Sequence, residues 1–158
     1  MEKNLIGLAG EFYTLAKLTH HGLVASLTLG NTKGVDILVS NPEFDQLYRV
    51  EVKTTNKEPR YMRLFGDEKF YIWPMSSKHE TIAGKFLIYC FIYLSNPEQN
   101  PKFFLVPSND VAEYVRWEHQ FWRTSRNNSV QVTSMRNFRI EVSDPKGYEE
   151  NWSLFKSR

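Results

Sequence analysis

The run of nine apolar residues from Phe86 to Leu94 constrains the fold of this 158-residue chain more than any other segment. It is much shorter than the ~18 residues that a membrane-spanning helix needs, and its residues favour strands. A run of this kind is typical of a central strand that is buried on both faces of a sheet. Such a strand needs a covering layer on each face, so we expect a sheet flanked by other elements.

Weaker patterns predict those other elements. Leu5, Leu8, Phe12 and Leu15 recur at helical spacing and predict a buried stripe on a first helix over residues 3–21, which Gly22 ends. Further strands are predicted over 23–29, 35–40, 47–54, 70–73, 103–106 and 139–142, a turn over 30–34, and helices over 109–119 and 147–156, with Ser108 as a cap and Trp152 and Phe155 as anchors. We therefore expect an α/β fold with a mixed sheet flanked by helices, and a single domain over residues 1–158.

Composition limits the class of protein. Cys90 is the single cysteine, so an intrachain disulfide is impossible; the residue is expected to be buried in its strand, and a cytoplasmic location is expected. No membrane span and no secretion signal are expected. The net charge of +2 is compatible with nucleic-acid binding but does not by itself indicate it.

Two alternating segments, 35–40 and 47–54, predict a hairpin with one apolar and one charged face. If the loop is centred between Ser40 and Leu47, Asp36 lies across from Glu51, and Lys53 lies two residues along the same face. The charged face then carries Asp36, Leu38, Arg49, Glu51 and Lys53, and the apolar face carries Val35, Ile37, Val39, Tyr48, Val50 and Val52.

Two carboxylates opposite each other repel, so this face needs a compensating charge. Lys53 supplies one positive charge and a divalent cation would supply two. Carboxylate and main-chain carbonyl oxygens are the ligands that Mg²⁺ prefers, so Asp36, Glu51 and the carbonyl of Val52 are candidate metal ligands. The alternative is an ordinary solvated sheet face whose acids are balanced by Arg49, and a slip of one residue in register would break the alignment.

These residues resemble the PD-(D/E)xK motif of the restriction-endonuclease-like nuclease superfamily. The resemblance rests on Glu11 in the first helix, on Gly34-Val35-Asp36-Ile37-Leu38-Val39, and on Val50-Glu51-Val52-Lys53-Thr54. It covers residues 5–55 by motif and the later elements more loosely. Val35 stands where the motif has proline. The resemblance implies the α-β-β-β-α-β core of that superfamily, as in its small stand-alone members.

The resemblance also implies an activity, the Mg²⁺-dependent hydrolysis of DNA phosphodiester bonds, with Mn²⁺ as a possible substitute. Asp36 and Glu51 would bind the metal and Lys53 would assist the attacking water. Glu11 would contact a metal-bound water or a second ion, or else is an ordinary carboxylate beside the buried face of its helix. The alternative function is an inert module of the same fold that binds nucleic acid or a protein.

Three basic residues, Lys57, Arg60 and Arg63, follow the strand that carries Glu51 and are candidate contacts for a phosphate backbone. A solvated basic loop explains them equally well. Cutting both strands needs two sites, so a homodimer is expected, with partner proteins as a possible source of sequence specificity.

Two further segments have alternative interpretations. Basic and aromatic residues alternate over 116–126, as on a base-stacking platform, but such aromatics can also be core anchors of a helix. The polar stretch from Ser76 to Glu80 is interpreted as a surface turn, although in such a fold it could add a residue to the site.

Overall fold

The computed structural model describes residues 2–29, 34–127, 129 and 131–156. Its elements are α1 (Lys3–His20), β1 (Val24–Leu27), β2 (Ile37–Asn41), β3 (Gln46–Thr55), β4 (Arg60–Tyr61), β5 (Lys69–Ser76), β6 (Leu87–Tyr93), β7 (Lys102–Pro107), α2 (Ser108–Ser125) and β8 (Met135–Glu141), with 3-10 turns at Ser77–Glu80 and Trp152–Lys156. No helix in these ranges is long and apolar enough to cross a membrane.

Five strands form a mixed sheet in the order β1-β2-β3-β6-β7. The β3–β6 pair is parallel and the other three pairs are antiparallel. All seven residues of β6 are buried, which confirms the prediction of a strand covered on both faces. The predicted mixed sheet flanked by helices is therefore present.

Different elements cover the two faces of this sheet. On one face, Leu18 of α1 and Trp152 and Phe155 of the last 3-10 turn pack on the apolar residues of β2, β3 and β6. On the other face, α2 and a second sheet of order β4-β5-β8 pack on Tyr89 and Phe91 of β6. Each face of the central strand thus has its own hydrophobic core.

The second sheet goes beyond the predicted elements, because the strand starting at Phe70 was expected to stop before Pro74. Instead β5 runs to Ser76, and Pro74 pairs with Asn137 of β8. The short β4 pairs only with Lys69 and Phe70, so β5 is an edge strand on that side at Pro74. Proline has no N–H to donate to a neighbouring strand, and it is tolerated at such an edge because no strand there requires that hydrogen bond.

Helix α1 lies on the sheet through a different face from the one predicted. Leu5, Leu8 and Phe12 of the apolar stripe are each about half exposed, and Gly10, Thr14 and Leu18 are buried instead. A Cβ atom at Gly10 would lie 2.0 Å from the Thr54 hydroxyl oxygen. The absence of a side chain at Gly10 therefore allows the helix to lie directly on β3.

Several boundaries also differ from the prediction. Ser108 is the first residue of α2 and not its cap; its hydroxyl bonds to the backbone of Gly84, and the helix continues to Ser125. The predicted last helix is a short 3-10 turn, although its anchors Trp152 and Phe155 are buried as expected. Cys90 is buried, as predicted. Most of the predicted turn over 30–34 lies outside the described residues.

Candidate functional site

The site is built on the β2–β3 hairpin, whose predicted register is confirmed. The ladder pairs Ile37 with Val50 and Leu38 with Arg49, which is the alignment obtained by centring the loop between Ser40 and Leu47. The ladder ends with the pair of Ile37 and Val50, so it does not include the neighbouring residue Asp36. The hairpin therefore carries Asp36 to the level of Glu51 without a backbone pair between them.

Asp36 instead forms hydrogen bonds to Val50 and Val52, the two residues that flank Glu51 in the sequence. Its backbone N–H donates to the Val50 carbonyl at 2.9 Å, and its Oδ2 accepts the Val52 N–H at 2.7 Å. The second bond fixes the side chain of Asp36 on β3. Both carboxylates are thereby held on the same segment of this strand.

Glu51 is the buried centre of the site, at 3% exposure. Its Oε1 lies 2.5 Å from Lys53 Nζ and 3.3 Å from His79 Nε2. Its Oε2 is buried and has no hydrogen-bond partner among the described residues. The interpretation of a solvated charged face is therefore wrong at Glu51, and Arg49, the alternative balancing cation, lies against Gly84.

The two carboxylates have opposite electrostatic surroundings. Burial raises the pKa of Asp36, and the charge of Glu51 adds to this, while the Val52 N–H and Lys53 only partly offset it. Burial also favours the neutral form of Glu51, but the His79 hydrogen bond and the Lys53 ammonium outweigh it and lower the pKa of Glu51 to about 2. Glu51 is thus held in its ionised form, whereas the negative charge of Asp36 is only partly balanced by nearby donors and positive charges.

Glu11 reaches the same site from α1. The contact of Gly10 with Thr54 places Glu11 beside the segment that carries Lys53. Burial raises the pKa of Glu11, and the charge of Asp36 raises it further, while Lys53 lowers it. Glu11 therefore belongs electrostatically to the group of Asp36, Glu51 and Lys53.

His79 is the residue of this site that the sequence did not single out. The sequence favours a surface turn over 76–80, but His79 is buried and contacts Glu51, which is 28 residues away in the chain. It lies in the first 3-10 turn, directly after β5. The polar residues 76–80, which directly follow the strand, are the sequence feature that could have indicated His79 as a site residue.

The candidate metal ligands are two carboxylates and one carbonyl. The described residues contain no group of three or more His, Cys, Asp or Glu side chains that could hold a metal ion. The candidate ligands are therefore Asp36, Glu51 and the carbonyl of Val52, whose N–H is bonded to Asp36. A site with so few protein ligands suits a cation that keeps several of its waters.

The predicted phosphate contacts lie outside this cluster. Lys57 follows β3, Arg60 is in β4 and Arg63 is in the turn after it, and all three are exposed. In the other basic and aromatic segment, Trp117 is 50% exposed and stacks on Phe121, so these two rings are not core anchors.

The sheet and helices together define a mixed α/β fold that the chain shares with a nuclease. No protein-family model and no curated protein matches the chain. Among solved structures, it is similar to that of the bacterial homing endonuclease I-Ssp6803I, with a TM-score of 0.58 and 14% identity over 98% of this chain and 92% of that one. At this identity the likeness shows a shared fold.

Proposed function

We propose that this protein is a metal-dependent nuclease that hydrolyses phosphodiester bonds in DNA. The observation that carries the proposal is the convergence of Asp36, Glu51 and Lys53 on one segment of β3, with an oxygen of Glu51 buried and unpartnered among the described residues. This arrangement matches the PD-(D/E)xK pattern of the sequence. The similarity to a homing endonuclease supports DNA as the substrate.

The donor set fits Mg²⁺. Mg²⁺ is commonly bound through one or two carboxylates plus waters and substrate phosphates, and does not require a cage of protein ligands. Asp36, Glu51 and the carbonyl of Val52 would hold it, and Mn²⁺ accepts the same oxygen ligands. When bound, the metal supplies Lewis-acid polarisation of the phosphate and a lower pKa of the attacking water.

The other charged residues have separate roles in the proposal. The Lys53 ammonium is partly exposed and lies beside Glu51, where it can orient the attacking water and stabilise negative charge that develops on the phosphate. Glu11 can hold a water at the edge of the same cluster. Lys57, Arg60 and Arg63 would contact the DNA backbone beyond the site.

One observation favours the alternative of a DNA-binding module without catalysis. Glu51 is already paired with Lys53, and Asp36 is already bonded to the Val52 N–H, so the protein itself compensates much of the acidic charge. Such a module would bind DNA in a salt-dependent way and leave it intact.

A supercoiled-plasmid assay separates these functions. With Mg²⁺ or Mn²⁺ we expect cleavage by the wild type, and a rate at least about a hundredfold lower for Asp36→Asn. Glu43→Gln, which removes an exposed acid from the same hairpin, is the matched control and should cleave normally. Equal behaviour of wild type and Asp36→Asn would refute the nuclease proposal.

The same assay reports the expected homodimer. A cut through both strands needs two sites, which a twofold dimer supplies. Linear product that forms without an accumulating nicked intermediate indicates paired sites, whereas nicked circles alone indicate a site that acts singly. If linear product forms only when a second protein is added, that protein is a partner of the nuclease.

A further inference from the structure

His79 is placed so that its two ring nitrogens contact different parts of the molecule. It is 3% exposed and lies in the 3-10 turn that follows β5 of the second sheet. Nδ1 lies 3.1 Å from the backbone nitrogen of Ser76, 3.2 Å from its hydroxyl and 3.0 Å from its carbonyl oxygen, in a capping box at the start of the turn. Nε2 lies 3.3 Å from Glu51 Oε1 on β3 of the main sheet. The ring thus links the two sheets at the candidate site.

The contact with Glu51 determines which nitrogen of the neutral ring carries the proton, because Nδ1 lies near both a donor N–H and an acceptor carbonyl of Ser76, at 3.1 and 3.0 Å. A carboxylate oxygen can only accept, so the hydrogen is on Nε2 and is donated to Glu51. With this tautomer, Nδ1 accepts the Ser76 N–H and the ring connects the turn to the site.

The contacts of Glu51 are divided unequally between its two oxygens. Oε1 has both donors, Lys53 and His79, while Oε2 has none among the described residues. A Cβ atom at Gly34 would lie 3.4 Å from Oε2, so the glycine leaves space beside this oxygen. Two donors on Oε1 fix the orientation of the carboxylate, while Oε2 accepts no hydrogen bond from the described residues and the buried Tyr89 hydroxyl is the other polar group beside Glu51.

We propose that His79 is a positioning residue, which holds Glu51 so that Oε2 is presented to the divalent cation. The inference rests on the proposed function, because it assigns Glu51 as a metal ligand. A partner that orients a metal-binding side chain commonly contributes tenfold to hundredfold in metal affinity or activity. Lys53 does not replace it, since its side chain is 26% exposed and ends a flexible four-carbon chain, whereas the ring is rigid and buried.

Two substitutions separate the capping contact from the contact with Glu51. In His79→Asn the side-chain oxygen reaches the position of Nδ1 and can accept the Ser76 N–H, but the shorter chain cannot reach Glu51. In His79→Gln the amide nitrogen reaches the position of Nε2 and can donate to Glu51. His20→Gln, at the exposed end of α1, is the matched control.

We expect His79→Asn to have a modestly lower melting temperature, because buried Glu51 loses a donor, and to bind Mn²⁺ about tenfold to hundredfold more weakly, measured by calorimetry without DNA at a temperature where every variant is folded. Its kcat should fall by a similar factor with little change in KM for DNA. His79→Gln should recover most of the affinity, and His20→Gln should match the wild type.

Other outcomes overturn the inference. His79 would be a structural residue only if His79→Asn binds Mn²⁺ as tightly as the wild type, or if His79→Gln fails to recover the Mn²⁺ affinity. The same conclusion would follow if the loss of Mn²⁺ affinity tracked the loss of melting temperature in every variant. If the wild type cleaves DNA and these variants behave alike, only the role of His79 is refuted. If the wild type neither binds Mn²⁺ nor cleaves DNA, the proposed function fails together with it.

Discussion

Asp36 and Glu51 meet at one segment of β3, yet folding affects their ionisation in opposite directions. Glu51 has two donors on one oxygen, and its pKa is lowered to about 2, while burial raises the pKa of Asp36. A raised pKa means that ionised Asp36 weakens the folded state, since the stability that it contributes is present below its ordinary pKa of 3.8 and is lost as the pH rises through the folded value. The stability from Glu51 is present above pH 4.5 and is lost as the pH falls towards 2.

Amide substitutions of these two residues should therefore change stability with opposite sign. At neutral pH, Asp36→Asn keeps an acceptor for the Val52 N–H and removes the poorly compensated charge, so we expect its melting temperature to rise by on the order of 2 °C. Glu51→Gln removes a charge that Lys53 and His79 stabilise, and should lower the free energy of unfolding by up to roughly 3 kcal/mol. Thermal and denaturant unfolding at pH 7 without metal measure both effects.

Unfolding at low pH is the control for the Asp36→Asn and Glu51→Gln variants. Near pH 2 both carboxyl groups approach their neutral forms, so the two variants should converge on the wild type. Shifts of the same sign at pH 7, or a difference that persists in acid, would contradict the electrostatic account of the site.

At the scale of elements, the contact between α1 and β3 decides where Glu11 lies. Gly10 lies so close to Thr54 that no side chain fits between them, whereas a Cβ atom at Gly7 would meet nothing within 4 Å. The same helix thus carries one glycine that packing requires and one that it does not. The apolar stripe of Leu5, Leu8 and Phe12 remains half exposed as a consequence.

Alanine at the two glycines should therefore have opposite effects. Gly7→Ala should stabilise the protein by about 0.5–1 kcal/mol, because alanine loses less backbone entropy in a helix. Gly10→Ala should destabilise it by about 1–3 kcal/mol, because the added methyl group overlaps the Thr54 hydroxyl. Chemical denaturation of the two variants measures the difference.

A second substitution tests the cause. Thr54→Ala removes the hydroxyl and should recover part of the loss in the Gly10→Ala background, though not all, because the Cβ of residue 54 stays about as close as 3.0 Å. Equal stabilisation by Gly7→Ala and Gly10→Ala would show that α1 does not lie against β3 in this way.

At the scale of the whole molecule, the small net charge of +2 makes local basic segments the main source of attraction for DNA. Lys57, Arg60 and Arg63 are exposed and follow the strand that carries the site. Under the proposed function, these side chains are the candidates to contact the backbone of a duplex bound at Glu51. Such contacts release counterions and make binding depend on salt.

Replacing these three residues with glutamine should weaken binding to any duplex and reduce the slope of log affinity against log salt by about one for each residue. Titrations without divalent metal measure binding apart from cleavage. Lys146→Gln, at an exposed lysine in the segment after β8, is the control and should leave the slope unchanged. An equal change in both proteins would assign the effect to net charge alone.

The sequence by itself determined the local part of this protein. Alternation over 35–40 and 47–54 identifies the hairpin, its loop determines the register, and the register brings Asp36 to the level of Glu51, with Lys53 two residues along the same strand. The apolar run at residues 86–94 identifies the central strand. These features follow from the sequence because strand periodicity and turn position are set by neighbouring residues.

Only the tertiary structure decided what surrounds that hairpin. The turn after β5 of the second sheet brings His79 to buried Glu51 across 28 residues, and this sheet could not be foreseen from a strand that contains Pro74. The helical spacing of Leu5, Leu8 and Phe12 identifies an apolar face, but Gly10 and Thr54 decide which face meets the sheet. Burial and close packing depend on contacts between distant segments, and a local pattern carries no information on which segments will meet.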